Sequence, residues 1–175
     1  MVVIVTGALG IGKSTVCRKL LDLVRAQGYS CGGILSHKNE ENSSIVLEDI
    51  KTGETRVLAS TQELFAGPRT PRFHFNREAI DFGIQSINRG LSSTIVVVDE
   101  IGHLELNGEG FTNIITLVRE KKVEHCILVI RKDLLSAFLP LFDSEPMAFE
   151  TTIDNREQLP LEIATLLFRE LIATR

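Results

Sequence analysis

One segment near the start of this chain restricts its possible folds more than any other: the glycine-rich residues Gly7-Ala8-Leu9-Gly10-Ile11-Gly12-Lys13-Ser14, which we call the glycine loop. Residues 2–6 before it are β-branched and show no polar alternation, which predicts a strand buried on both faces. Residues 15–26 after it carry apolar side chains at helical spacing and predict a helix that ends near Gly28. We therefore expect a strand, a loop and a helix in direct succession.

The glycine loop matches the pattern G-x-x-x-x-G-K-[ST] at every position. Glycine lets the backbone bend so that successive N–H groups point inward around an anion, and the following helix adds about half a positive charge at its N-terminus. Lys13 is expected to reach the β- and γ-phosphates of a nucleoside triphosphate, and the Ser14 hydroxyl to bind Mg²⁺. A glycine turn that binds nothing is the alternative. The predicted nucleotide contacts are Gly7, Ala8, Leu9, Gly10, Ile11, Gly12, Lys13, Ser14 and Thr15.

Two adjacent carboxylates, Asp99 and Glu100, follow the apolar run of residues 94–98. That run predicts another buried strand, and open α/β sheets bind ligands at the carboxyl ends of their strands. Because two unpaired charges there would be costly, a bound cation is the expected partner. We predict that Asp99 holds Mg²⁺, directly or through a water, and that Glu100 polarises the attacking water. A helix cap or a surface carboxylate is the alternative for Asp99.

The remaining patterns alternate between strands and helices. Strands are predicted over residues 29–36, 126–130 and 147–153, and an antiparallel hairpin over residues 45–50 and 55–59 around a turn that contains Gly53. Helices are predicted from the cap Asn76 to Gly90, over 111–118, over 133–142 with a break at Pro140, and over 161–172. The predicted fold class is α/β: one domain, residues 1–175, with the three layers of a P-loop NTPase fold. A mostly parallel sheet has helices on both faces and the hairpin as an antiparallel insertion at its edge.

The segment Asp-Glu-Ile-Gly-His-Leu-Glu-Leu, residues 99–106, with Gly110-Phe111 after it, resembles the Asp-Glu-Ile-Gly-x-x-Glu-Leu signature of a known family. These are the small nucleoside-triphosphatases first described from thermophiles, with a human cancer-related member. The Thr, Asn-Arg and Leu-Pro pieces of residues 151–160 are similar to that family's ending. The resemblance implies Mg²⁺-dependent hydrolysis of ATP, GTP and other nucleoside triphosphates with broad base tolerance. By position it implies a catalytic core of Lys13, Ser14, Asp99 and Glu100, and it includes Glu105 without a role.

The chain departs from that family at one place. The family pattern has an acidic residue and an arginine just after the second strand, where this sequence has Ser36-His37-Lys38. Transfer of a phosphoryl group usually needs a cation besides the loop lysine and Mg²⁺. Arg131 is our first candidate, because it follows a buried strand that ends at the same sheet edge as Asp99. A surface arginine is the alternative.

Four further residues are weaker candidates for nucleotide contacts. Arg69 and Arg72 belong to residues 67–72, a segment with two prolines that is a candidate lid over the nucleotide, although such loops are more often solvated. Asn155 and Arg156 follow the last predicted strand, near where a nucleotide base would lie. A helix cap is the alternative for this pair.

Composition limits the partners. The net charge of −4 gives no general attraction to nucleic acid, and no apolar run approaches the roughly 18 residues of a membrane span. The three cysteines lack metal-site spacing and are expected to be buried thiols in the cytoplasm, where the Asn42-Ser43-Ser44 sequon would stay unmodified. His37, His74, His103 and His125 also lack metal-ligand spacing, and we expect them at the surface or in loops.

Three alternatives to hydrolysis stay open. A small-molecule or nucleotide kinase shares the glycine loop and the sheet, but a glutamate directly after Asp99 favours water activation. A GTP- or ATP-binding regulatory adaptor is the second, and the absence of an N/T-K-x-D motif argues against guanine specificity. The third is a module whose hydrolysis drives a protein partner, for which the sequence shows no direct sign.

Overall fold

The structure is a computed structural model that describes residues 1–39, 41 and 43–173, so the predicted sequon at Asn42 lies outside the described residues. The strands are β1 (Val2–Gly7), β2 (Cys31–Lys38), β3 (Ser44–Asp49), β4 (Thr55–Ser60), β5 (His74–Phe75), β6 (Ile95–Ile101), β7 (Cys126–Arg131) and β8 (Met147–Thr151). The helices are α1 (Lys13–Ala26), α2 (Arg77–Gly90), α3 (His103–Leu106), α4 (Asn113–Arg119), α5 (Leu135–Phe138) and α6 (Leu159–Ala173). Short 3₁₀ turns, Lys132–Leu134 and Leu139–Leu141, flank α5.

In the described part of the chain the strands form one eight-stranded sheet in the order β5-β4-β3-β2-β6-β7-β1-β8. The five neighbouring strands β2, β6, β7, β1 and β8 run parallel to one another. The pairs β2–β3, β3–β4 and β4–β5 are antiparallel. The mostly parallel sheet and the antiparallel hairpin at its edge are both confirmed. The short strand β5, which the sequence pattern did not predict, extends that edge further.

Two apolar cores lie on opposite faces of the sheet, because side chains alternate along each strand. On one face, Val3 and Val5 pack with α1 and α6 through residues such as Leu20 and Leu167. On the other face, Ile4 belongs to the core that contains residues of α2, α4 and α5. The predicted arrangement of helices on both sides of a central sheet is confirmed.

Helix α2 approaches β2 closely because glycines meet there. A Cβ on Gly90 would lie 2.5 Å from the backbone nitrogen of Gly33, and a Cβ on Gly33 would lie 2.0 Å from the carbonyl oxygen of Val97. Gly33 also has φ +101°, a conformation that favours glycine. This packing holds the C-terminal end of α2 against the first residues of β2.

Several predicted boundaries differ from the structure. Strand β6 continues through Asp99 and Glu100 to Ile101, so the acid pair belongs to the strand instead of following it. A four-residue helix, α3, was not predicted, and α6 begins at Leu159 with Pro160 in its first turn, where proline is tolerated. Short apolar patterns therefore predict that a strand or helix is present more reliably than they predict the residues at which it begins and ends.

The prediction that the cysteines are buried thiols is confirmed. Cys17, Cys31 and Cys126 are buried and unpaired. His125 lies in the loop directly before the central strand β7, as one of the two expected placements, although its side chain is only 3% exposed. Among the described residues, no helix has both the length and the apolar character needed to cross a membrane.

Candidate nucleotide site

The glycine loop connects the end of β1 to the start of α1. Gly10 and Gly12 have φ values of +77° and +109°, and Gly12 is the residue that caps α1. Gly7 is confined for another reason, since a Cβ there would lie 2.8 Å from the carbonyl oxygen of Thr151 on β8. The loop therefore adopts a backbone path that only glycine permits at these positions, directly before a helix N-terminus.

Lys13 is folded back over this loop. Its side chain is only 5% exposed, and its Nζ donates to the carbonyl oxygens of Gly7 at 3.3 Å and Ala8 at 3.0 Å. The same Nζ lies 3.6 Å from Oε2 of Glu100. The ammonium group thus joins the loop of β1 to the end of β6.

Asp99 is fully buried, and burial raises its pKa to about 7. The Ser14 hydroxyl and the backbone of Ser36 lie near enough to favour the charged form, whereas Glu100 disfavours it. Even so, neither carboxylate oxygen of Asp99 has a hydrogen bond of normal geometry within the described residues. A buried carboxylate with open oxygens is costly unless a cation or another donor meets it.

The donor set around Asp99 fits Mg²⁺. This ion prefers oxygen ligands, keeps several waters and usually binds through one or two carboxylates plus substrate phosphates. The Ser14 hydroxyl at the start of α1 and the Asp99 carboxylate supply such oxygens. Among the described residues, no group of three His, Cys, Asp or Glu side chains suited to a metal occurs.

Glu100 lies at the side of the glycine loop, with its side chain 33% exposed. Burial raises its pKa above the usual value, although Lys13 and Arg131 oppose the shift. A carboxylate with raised basicity next to solvent is suited to accept a proton from water.

Glu105 organises the segment after β6. Its Oε2 accepts a hydrogen bond from the Gly102 backbone N–H at 2.7 Å, and its Oε1 accepts one from the Phe111 N–H at 2.8 Å. Gly110 has φ +59°, and a Cβ there would lie only 2.1 Å from Oε1. These contacts explain the spacing of Gly102, Glu105, Gly110 and Phe111. They also give Glu105 a structural role, which the sequence pattern alone did not assign.

Arg131 ends β7 and reaches the same region, but it is paired. Its Nε and Nη2 donate to the Asp133 carboxylate at 3.1 and 2.7 Å. Its charge still favours the ionised form of Glu100. The structure therefore brings Arg131 beside the acid pair in an orientation that Asp133 restrains.

A cleft of about 640 Å³ opens beside the glycine loop. It is bordered by the loop, by the ends of β2, β6 and β7, and by residues 70–73 and 75. Arg72 lines the cleft, with its guanidinium 5.1 Å from the ring centre of Phe73, whereas Arg69 is not among the lining residues. Apolar side chains from the hairpin edge and α2 complete the wall: Ile45, Leu58 and Ile80. Sequence reasoning missed these three, because no local pattern separates them from ordinary core residues.

Asn155 and Arg156 lie elsewhere, on the β8 side of the loop. The Asn155 side chain accepts from the Thr152 N–H at 2.8 Å and donates to the Glu150 carbonyl at 2.8 Å, so it closes the turn before α6. Arg156 lies against the glycine loop, since a Cβ on Gly12 would be 3.8 Å from its Cδ. Neither side chain lines the cleft.

A family model described as NTPase matches residues 2–164 of the chain. The chain belongs to this NTPase family. The nucleoside-triphosphatase THEP1 of Methanosarcina barkeri is 31% identical over 172 residues, which cover 95% of this chain and 97% of the relative. That of Methanopyrus kandleri is 28% identical over 163 residues, covering 90% of this chain and 89% of the relative. The family resemblance inferred from residues 99–106 is thereby confirmed.

The fold of this NTPase also matches a solved structure. The crystal structure of THEP1 from the hyperthermophile Aquifex aeolicus superposes with a TM-score of 0.74 at 18% identity, and the match covers 95% of this chain and 99% of that one. At this identity the match establishes the fold alone. The predicted three-layer P-loop NTPase fold is confirmed.

Proposed function

We propose that this NTPase hydrolyses ATP, GTP and other nucleoside triphosphates to the diphosphate and phosphate, with Mg²⁺ as cofactor. The observation that carries the proposal is the meeting of two strand ends. Lys13 on the glycine loop lies 3.6 Å from Glu100, and the neighbouring Asp99 has two buried oxygens without hydrogen bonds in the described structure. The similarity to proteins named nucleoside-triphosphatase supports the same activity.

In this proposal the backbone N–H groups of residues 7–15 surround the phosphates. Lys13 moves its ammonium group from the loop carbonyls to the β- and γ-phosphate oxygens, which are stronger acceptors. Ser14 and Asp99 would hold the Mg²⁺ ion. When bound, Mg²⁺ offsets negative charge on the phosphate oxygens.

Glu100 is the proposed base. Its raised pKa and its partial exposure suit a group that orients a water molecule toward the γ-phosphorus and accepts its proton. Arg131 is the proposed additional cation, and it would leave Asp133 to meet charge on the transferred phosphoryl group. Asn155 and Arg156 are proposed to lie at the base end of the nucleotide, where the Asn155 amide is already used by the turn. Because the Asn155 amide is engaged in the turn, it would not select one nucleotide base over another, which fits hydrolysis of nucleotides with different bases.

We also place the protein in the cytoplasm, since three unpaired buried cysteines suit a reducing compartment.

The test compares Glu100→Gln with Glu145→Gln, a matched change at an exposed position far from the acid pair in sequence. Phosphate release is measured for eight ribo- and deoxyribonucleoside triphosphates with and without Mg²⁺, and nucleotide affinity is measured by titration. Glu100→Gln should lower kcat by about 10²- to 10⁴-fold and keep nucleotide binding. Glu145→Gln should behave as wild type. Full phosphate release by Glu100→Gln, or release that requires an added acceptor, would contradict the proposal.

A further inference from the structure

The cleft extends from the glycine loop toward the hairpin edge of the sheet. Its lining comes from the loop, from the ends of β2, β6 and β7, from residues 102–105 and 110–111 after β6, and from the hairpin, α2 and residues 70–73 and 75. None of the described residues of β8 or α6 contributes to it. The cleft and the turn of residues 152–158 therefore lie on opposite sides of β1, since β8 borders β1 on one side and β7, β6 and β2 follow on the other.

The proposed nucleotide can be oriented relative to these strands. Ser14, Asp99 and Glu100 belong to its γ-phosphate end, and these groups lie on the β6 side of the loop. Arg156, against Gly12, lies on the β8 side, where the ribose and base would extend. A nucleotide bound in this direction leaves the far part of the cleft unfilled. This step rests on the proposed function.

The far part of the cleft has an apolar wall. Ile45 from β3, Leu58 from β4 and Ile80 from α2 form it together with Phe73 and Phe75. Cavities of several hundred Å³ with walls of this kind commonly hold small organic molecules. Phosphate groups and water are polar, so they would not make favourable apolar contacts with this wall.

The rim of the same region carries positive charge. Lys38 at the end of β2 and Arg72 in the turn of residues 70–73 both line the cleft and are exposed. The two carboxylates in the lining are already engaged, Glu100 with Lys13 and Glu105 with the backbone N–H groups of Gly102 and Phe111. An apolar body with an anionic group complements this combination.

We propose that the part of the cleft between the γ-phosphate end and the hairpin edge is a second small-molecule site, which takes an aromatic anion while the nucleotide is bound. The aromatic body packs on Ile45, Leu58 and Ile80, and the anionic group faces Lys38 and Arg72. An occupant there lies beside Glu100, on the side from which a group attacking the γ-phosphorus approaches.

The experiment uses 8-anilinonaphthalene-1-sulfonate as the aromatic anion and N-phenyl-1-naphthylamine as its uncharged counterpart. Both are titrated into the full chain saturated with Mg²⁺ and a non-hydrolysable nucleoside triphosphate, and fluorescence and calorimetry report affinity and stoichiometry. The anion should bind at one site per chain. The uncharged compound should bind about tenfold more weakly, the loss expected for one charge-assisted hydrogen bond.

Paired variants locate the site. Ile45 is opposite Lys38 in the register of β2 and β3, so Ile45→Glu adds a carboxylate at the rim, whereas Ile45→Lys removes the same apolar surface and adds a cation. Ile45→Glu should lower the affinity for the anion by about tenfold or more, and Ile45→Lys should lower that affinity much less. Ile172→Glu, at an exposed apolar residue of α6, should change nothing.

Three results would overturn the proposal: displacement of the anion by the nucleotide, equal affinity of the uncharged compound, or equal effects of Ile45→Glu and Ile45→Lys. The melting temperature of each variant identifies any that fails to fold, and Lys38→Gln, which should also weaken the anion, then replaces the Ile45 pair. Nucleotide affinity and phosphate release are measured on the same proteins without either compound. They report on the proposed hydrolysis, so the second site and the hydrolytic function can fail independently.

Discussion

Lys13 and Glu100 face each other at 3.6 Å between Nζ and Oε2, although they belong to different elements of the chain. Lys13 is nearly buried, whereas one third of the Glu100 side chain is exposed. The ammonium group that is expected to bind the triphosphate is therefore shared among two loop carbonyls and a carboxylate. A nucleotide has to replace these partners.

This pairing predicts that Glu100→Gln increases nucleotide affinity as well as stopping hydrolysis. Removing the negative charge leaves Lys13 free to meet the phosphates. Because the pair is partly exposed, the gain should be modest, about two- to fivefold in Kd. Titration with a non-hydrolysable triphosphate measures it, with Glu145→Gln as the control. A weaker Kd would show that Glu100 supports binding instead of competing for Lys13.

Asp99→Asn is expected to stabilise the protein when Mg²⁺ and nucleotide are absent. The wild-type carboxylate is buried, and neither oxygen has a hydrogen bond in the described residues, so a neutral amide removes a desolvation cost of about 1–3 kcal/mol. The same change should abolish Mg²⁺-dependent phosphate release. Thermal unfolding with and without Mg²⁺ and nucleotide measures both effects. A lower melting temperature in Asp99→Asn would contradict the argument.

Gly110→Ala and Gly108→Ala form a matched pair. Both glycines have positive φ, +59° and +78°, so alanine is strained at either position by roughly 1–2 kcal/mol. Only at Gly110 would the added Cβ meet another group, at 2.1 Å from Oε1 of Glu105, while Gly108 has nothing within 4 Å. Gly110→Ala should therefore lose more unfolding free energy and also phosphate release, because Glu105 holds the segment after Glu100. Equal losses in the two variants would remove the proposed role of Glu105.

Stability at acid pH should depend on Asp49. Burial by itself raises the pKa of this carboxyl, but hydrogen bonds from Arg89 and from the backbone amides of Lys51 and Thr52 outweigh burial and hold the pKa below its usual value. Its stabilisation is therefore complete above the unfolded value and is lost as pH falls through the lower folded value. Asp49→Asn should cost about 1–3 kcal/mol at pH 7, and the difference from wild type should shrink below pH ~4.

The control for Asp49 is Asp143→Asn. Asp143 also pairs with an arginine, Arg119, but both side chains are more than half exposed. Exposed pairs of this kind contribute about 0–1 kcal/mol, so this variant should follow the wild-type pH profile. Chemical denaturation between pH 3 and pH 8 gives both curves. A pH-independent loss in Asp49→Asn would mean that its charge is not the stabilising feature.

Arg131→Ala tests the proposed additional cation. If the guanidinium meets charge in the transition state, kcat should fall by about 10³-fold, the lower end of an arginine's contribution to phosphoryl transfer, with little change in KM. Asp133→Asn, which removes the partner at 2.7 Å but keeps the arginine, should retain kcat. A change in KM alone would assign Arg131 to binding.

The strand ends were the part of the site that could be predicted. Apolar β-branched runs identify buried strands, and parallel strands bring their carboxyl ends to one edge, so Gly7, Asp99 and Arg131 were expected together. The structure does bring these positions to one edge. The double use of Glu105 and the internal bonds of Asn155 could not be foreseen, because each depends on backbone groups that folding alone brings near.

Local sequence patterns were enough to predict the order of strands and helices, the glycine loop and the acid pair, since these follow from periodicity and from residue types whose chemistry is independent of context. The folded chain was needed to show that Lys13 reaches Glu100, that Asp133 restrains Arg131, and that Ile45 and Ile80 share one cleft wall. The reason is physical. Periodicity reports which face of an element is buried, whereas the identity of the neighbour across that face depends on the packing of the whole sheet.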